Sequence, residues 1–176
     1  MLYISIRGTA LHITENNRRK ETMKQLKVKR NELANEFELM HIAKDGDVGL
    51  DIPVVFEDKG SITINPGERR LVPTGVRIEL PDGYWASIEA RSSTSKKSLI
   101  VPKGVIDEGY RGELFAQIIN VGKEPVQINH GDRLIQLIMH ERVIKDFDII
   151  EVDELSESER GETGFGSSGQ SAKTVK

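Results

Sequence analysis

The stretch SITINPGERRLVPTGVRIELPDGYWASIEA, residues 61–90, decides the fold class. It holds three short runs rich in β-branched and apolar residues, SITIN, RLVPTGVRIEL and YWASIEA, separated by Pro66-Gly67 and Pro81-Asp82-Gly83. Proline pre-sets φ and glycine accepts positive φ, so such pairs mark tight turns. Within VRIEL, apolar and polar residues alternate with period two, as in a strand with one wet face. The stretch predicts consecutive strands joined by turns.

The same punctuation continues outward. Gly60 precedes the stretch, and Pro102-Lys103-Gly104, Gly122 and His130-Gly131-Asp132 follow it. They enclose SLIVP, ELFAQIINV, PVQIN and RLIQLIMHERV. Strands at this spacing predict an all-β sandwich or barrel and not a βαβ array. LIQLIM is nearly continuous, which predicts burial on both faces. Upstream, KQLKVKRNELANEFELMHIAK reads as a first strand at about residues 25–30. Leu26, Leu33, Phe37 and Met40 also fall near one helical face, so an amphipathic helix is the alternative there. The chain divides into an N-terminal extension (1–22), a β domain (23–152) and a flexible C-terminal arm (153–176). The arm is polar and rich in Ser and Gly, a composition that buries too little to fold alone. Phe165, flanked by glycines, is the exception within it.

A length of 176 residues suits one domain with tails. The net charge of −3 gives no electrostatic attraction to nucleic acid or an anionic membrane. The absence of cysteine excludes disulfides and thiolate metal sites and points to a reducing, cytoplasmic setting. No run approaches the roughly 20 apolar residues of a membrane span. The four histidines, at 12, 41, 130 and 140, lack ligand spacing, and no GxSxG elbow or P-loop is present.

What remains is five short polar motifs at strand ends: GDVGLDI with Asp51, ARSSTSKK with Arg91, Ser92 and Ser93, GVIDEGYRGE with Asp107 and Tyr110, GDRLIQL with Arg133 and Gln136, and RGETGFGSSG with Arg160 and Phe165. Arginine, lysine, hydroxyls and glycine amides suit phosphate oxygens. Two aromatics suit a sugar and a base, and a carboxylate beside them suits activation of water. The inventory suggests nucleotide phosphate hydrolysis. Each motif taken singly also has a bland reading, as a polar turn or a local ion pair.

The five motifs in this order resemble the trimeric deoxyuridine triphosphatase (dUTPase) family from about residue 24 to residue 169. The resemblance implies a jelly-roll-like β-barrel, a homotrimer with shared active sites, and Mg²⁺-dependent conversion of dUTP to dUMP and pyrophosphate. It implies that Asp107 activates the attacking water and that Tyr110 packs beneath the deoxyribose. The backbone around Gly104 and Ile106 would read the uracil edge, while Arg91, Ser92, Ser93 and Gln136 would contact phosphate. Asp51 would act through the Mg²⁺ hydration shell or as a local organiser, with no direct metal ligand. Arg160 would reach the γ-phosphate and Phe165 would stack on uracil, with Gly166 and Ser167 wrapping the ligand. From Asp153 to Gly164 the extended chain spans up to ~35 Å, enough to reach a neighbouring subunit.

Two departures stand out. The second motif reads Arg-Ser-Ser where Arg-Ser-Gly is commoner, so Ser93 either crowds a tight turn or adds a hydroxyl to the phosphate site. The interval from Arg91 to Asp107 is also about one residue shorter than in many members. The same resemblance admits dCTP deaminase, or a bifunctional form of it, as an alternative. That chemistry needs a carboxylate where this chain has Gln117. A trimeric regulatory binding protein is a further alternative.

Overall fold

The computed structural model describes residues 23–40, 44–159 and 161. Ten strands run in chain order: β1 Lys27–Arg30, β2 Gly49–Pro53, β3 Ser61–Ile64, β4 Arg69–Glu79, β5 Tyr84–Ala90, β6 Leu99–Ile100, β7 Gly104–Ile106, β8 Glu113–Asn120, β9 Val126–Asn129 and β10 Arg133–Glu141. A one-turn helix, α1 Ser92–Ser95, follows β5, and the segment after β1 is a short 3₁₀ turn, Ala34–Glu36, not an amphipathic helix.

All pairings are antiparallel. They form one sheet in the order β1-β4-β8-β6, a second in the order β2-β10-β5-β7, and the two-stranded ribbon β3-β9. The fold is all-β, as the turn spacing predicts, but these described sheets do not close into a barrel. They are joined instead by isolated backbone bonds. The segment after β2 crosses between the two large sheets: Val54 N–H donates to Asp132 O (3.0 Å) and Val55 N–H to Pro73 O (2.9 Å). Asn120 ties in the ribbon, its buried amide donating to Ile64 O and Glu124 O, both at 2.8 Å.

Period-two alternation builds the core. Val72, Val76, Ile78, Leu114, Ala116 and Ile118 come from the first sheet, and Ile52, Ala86, Ile88, Ile135 and Leu137 from the second; all are essentially buried. The long strand β4 carries a bulge: Pro73 stands opposite Phe115 and Arg77 opposite Glu113, so four steps on β4 meet two on β8. Pro73, which has no N–H to give, sits at the start of that break. Gly75 takes φ +68° inside it, and a side chain there would run into the Asn31 amide.

Strand β10 differs from the two-sided burial expected of LIQLIM. Ile135 and Leu137 are fully buried, whereas Gln136, Ile138 and His140 on the other face are only half-buried. That second face carries the polar residues of the candidate site.

The described residues up to Val143 belong to one compact unit and those from Ile144 to another. Taken by itself, the second unit has its described residues exposed, including the apolar Ile144, Phe147, Ile149, Ile150 and Leu155.

Candidate active site

Gln136 stands in register between Asp51 on β2 and Glu89 on β5. Directly opposed residues of antiparallel strands share a face, so the three side chains form one row across the sheet. Arg91, the residue after β5, folds back over this row. Its Nε lies 2.6 Å from Asp51 Oδ1, and its Nη1 donates to Arg133 O at 3.0 Å. Arg133 Nη1 approaches the other Asp51 oxygen at 3.4 Å. One carboxylate thus holds two guanidinium groups, and the Asp51 side chain is only 17% exposed.

The Gln136 amide is fixed by donation to Ala90 O (3.1 Å), and a side chain at Gly49 would collide with it. The result is a depression of about 290 Å³ lined by Asp47, Val48, Gly49, Asp51, Arg91, Ser92 and Gln136. This lies at the small end of ligand sites, which run about 300–1,000 Å³. Its walls offer a guanidinium, a hydroxyl and an amide, donors suited to oxyanions.

The ARSSTSKK motif is shaped by a residue that the sequence reading passed over. Thr94 is fully buried, and its hydroxyl donates to Leu134 O at 2.6 Å. Together with Arg91 N–H donating to Leu134 O (3.1 Å), this bond clamps α1 onto β10. Ser92 and Ser93 remain exposed on the turn. Ser93 takes no positive φ, so the backbone of this turn does not require glycine at that position.

Asp107 and Tyr110 lie on the hairpin after β7, with Gly104 and Ile106 at the two ends of that strand. Tyr110 N–H donates to Asp107 O (3.0 Å), closing the turn, and the phenol donates to Glu113 O (2.8 Å). A side chain at Gly112 would fall on the Tyr110 ring, so glycine there lets the ring lie flat along the chain. Asp107 itself is exposed.

The two groups do not meet within one chain. Ala86 pairs with Ile106 in the last register pair of β7, so Asp107 follows at the Trp85 end of β5. Arg91 is six residues farther along β5, about 20 Å at the usual strand rise. Between them on the same face, Ser87 bonds both Glu89 Oε1 and His140 Nε2, each at 2.9 Å. His140 stacks on Trp85 with centroids 4.1 Å apart. The Ser87 hydroxyl, followed by the Lys103 ammonium, holds the Glu89 carboxyl below the ordinary glutamate range.

The structure therefore gathers Asp51, Arg91, Ser92 and Gln136, and leaves Asp107 and Tyr110 apart from them. Arg160, Phe165, Gly166 and Ser167 lie outside the described residues, as does the 1–22 extension. Arg133 forms an ion pair, as the bland reading of its motif expects, and its partner is Asp51 on the neighbouring strand. No group of three His, Asp or Glu side chains suited to a metal ion occurs among the described residues.

Comparison with known proteins sets this geometry in a family. The dUTPase family model matches residues 35–169. The deoxyuridine 5'-triphosphate nucleotidohydrolase of Caldanaerobacter subterraneus subsp. tengcongensis is 43% identical over 147 residues, covering 82% of this chain and 97% of that protein. The dUTPase of Staphylococcus bacteriophage 80alpha, solved with dUpNHpp, superposes with a TM-score of 0.74 at 28% identity, covering 84% of this chain and all of the other. A mutant dUTPase from phage phi11 of S. aureus, solved to show the coordination of a structural Mg(II) ion, gives a TM-score of 0.59 at 25% identity, covering 77% and 97% of the two chains. With the family match spanning most of its length, the chain belongs to the dUTPase family.

Proposed function

We infer that this protein hydrolyses dUTP to dUMP and pyrophosphate, removing dUTP and supplying dUMP. The observation that carries the reading is the Asp51–Arg91–Gln136 depression, an oxyanion-binding surface placed on the motifs of a family whose relatives bear the name of this reaction. In the reaction, a water oxygen bonds to the α-phosphorus and the bond to the β-phosphate bridging oxygen breaks. Asp107 takes the water's proton, and the electron pair leaves with pyrophosphate. Arg91, Ser92, Ser93 and Gln136 bind phosphate oxygens. Tyr110 packs under the deoxyribose, and the backbone at Gly104 and Ile106 reads the uracil. Arg160, Phe165, Gly166 and Ser167 complete the site from the arm.

A Mg²⁺ ion arriving with the triphosphate would supply charge neutralisation. Mg²⁺ commonly binds through substrate phosphates and waters with few protein ligands. Asp51 serves as the organiser of Arg91 and Arg133, since both its oxygens already face guanidinium groups.

The active unit is a homotrimer of jelly-roll-like subunits with sites shared between chains. Two features support this: the separation of about 20 Å between Asp107 and Arg91 along the sheet, and the exposed apolar side chains from Ile144 to Leu155. The β domain spans 23–152 and the arm 153–176, with 144–152 leading from the compact unit into the arm. The net charge of −3 and the lack of cysteine support a cytoplasmic protein without nucleic-acid or membrane partners.

The test is a product assay with Mg²⁺ and separate dUTP, dCTP, UTP and dTTP. Release of dUMP and pyrophosphate from dUTP alone is expected. Ammonia release from dCTP would overturn the reading and would require a proton shuttle other than Gln117.

A further inference from the structure

We propose that Glu108 and Arg142 form a positioning pair that fixes Asp107 for the attack of water, an inference that rests on the assignment of Asp107 as the base. Strand β7 is only three residues long and lies at the edge of its sheet. Three register pairs with β5 end at Ile106, so the ladder stops immediately before Asp107. A short edge strand does not by itself fix the turn that extends beyond it.

Asp107 O accepts the Tyr110 N–H within the turn (3.0 Å), and Glu108 ties the turn to other segments. One carboxylate oxygen, Oε2, accepts the Gly83 N–H at 3.0 Å and lies 3.0 Å from Arg142 Nη2. Gly83 belongs to the Pro81–Tyr84 turn that opens β5, and Arg142 follows the end of β10. These two segments are themselves joined, Arg142 N–H donating to Gly83 O at 2.8 Å. The Glu108 carbonyl accepts from Arg111 Nη1 at 2.8 Å, which tightens the turn from within. Asp107 is thus held on its N-terminal side by the β5 ladder and on its C-terminal side by Glu108, while its own side chain stays exposed.

The Glu108 and Arg142 side chains are 29% and 43% exposed. Pairs at this exposure contribute little to global stability. Their consequence is positional, because a misplacement of about 1 Å at a reacting group costs up to about 100-fold in rate. The pair therefore acts on turnover more than on folding or substrate affinity.

The test compares Arg142→Met, Arg142→Lys, Glu108→Gln, the Arg142→Met/Glu108→Gln double variant and Asp107→Asn in the full-length protein. Turnover of dUTP, KM and the thermal midpoint are measured for each. Arg142→Met and Glu108→Gln are expected to lower kcat about 10-fold with KM nearly unchanged. Arg142→Lys should restore most of the loss, and the double variant should be no worse than the poorer single one. A thermal midpoint unchanged in all of them separates positioning from folding.

Full kcat in Arg142→Met alongside a nearly inactive Asp107→Asn would overturn the pair and leave the reaction assignment standing. Full turnover in Asp107→Asn would overturn the base assignment, and the pair with it. A lowered midpoint tracking the loss of kcat, or no rescue by lysine, would make the contact a structural one and also overturn the proposal.

Discussion

A carboxylate that touches two arginines orders the surface proposed to bind phosphate. Replacing Asp51 with alanine leaves Arg91 and Arg133 facing each other without their shared anion. The expected result is a loss of about 1–3 kcal/mol of stability together with a raised KM for dUTP, measured by denaturant melts and initial rates. Asp107→Asn is expected to act differently. Exposed and outside that network, Asp107 can lose its charge with little change in folding or binding, while turnover falls about 100- to 10,000-fold. Calorimetric titration with a non-hydrolysable analogue and a product assay check the two halves of that statement. The histidines show where single residues were not legible. Sequence spacing examined them only as metal ligands. His130 instead caps a backbone group, its Nδ1 accepting Phe56 N–H at 2.9 Å, and His140 lies on Trp85. Both contacts cross long intervals of sequence that no local pattern records.

At the level of elements, punctuation by proline and glycine made almost every strand legible. Turn chemistry and period-two alternation are local, and the runs from SITIN to RLIQLIMHERV all became strands. Pairing between distant strands was not legible, and so neither were the open sheets nor the row of Asp51, Gln136 and Glu89. The RSSTS run illustrates the limit. Five consecutive residues look alike in polarity, yet one hydroxyl, that of Thr94, is wholly buried. Thr94→Val keeps the shape and removes the donor to Leu134 O. A loss of about 1–2 kcal/mol is expected, with kcat/KM falling because α1 carries Arg91 and Ser92 at its start. Thermal melts and rates on that variant, with Ser93→Ala as a control that should change stability little, check the claim. The Arg-Ser-Ser departure leaves the backbone of the turn in a conformation that serine adopts without positive φ.

For the molecule as a whole, four surface glutamates make a small contribution to acid stability, and its sign is definite. Hydrogen bonds and ion pairs hold four glutamates below their ordinary range: Glu36 by Lys59, Glu68 by the Asn65 backbone, Glu79 by Lys27 and Glu89 by Ser87. A carboxylate depressed in the folded state stabilises above the unfolded pKa of about 4.3, and that contribution is lost as pH falls through the lower folded value. Through these groups the thermal midpoint should decline slightly below about pH 4.5; a midpoint unchanged down to about pH 3 would contradict this. The distance between Arg91 and Asp107 along β5 has a genetic consequence. If each site takes its arginine from one chain and its carboxylate from another, two inactive alleles complement one another. Arg91→Ala and Asp107→Asn chains, dissociated together in equal amounts and allowed to reassort, should leave about a quarter of the sites with both groups intact. Activity would then appear in a mixture of two proteins that have none alone.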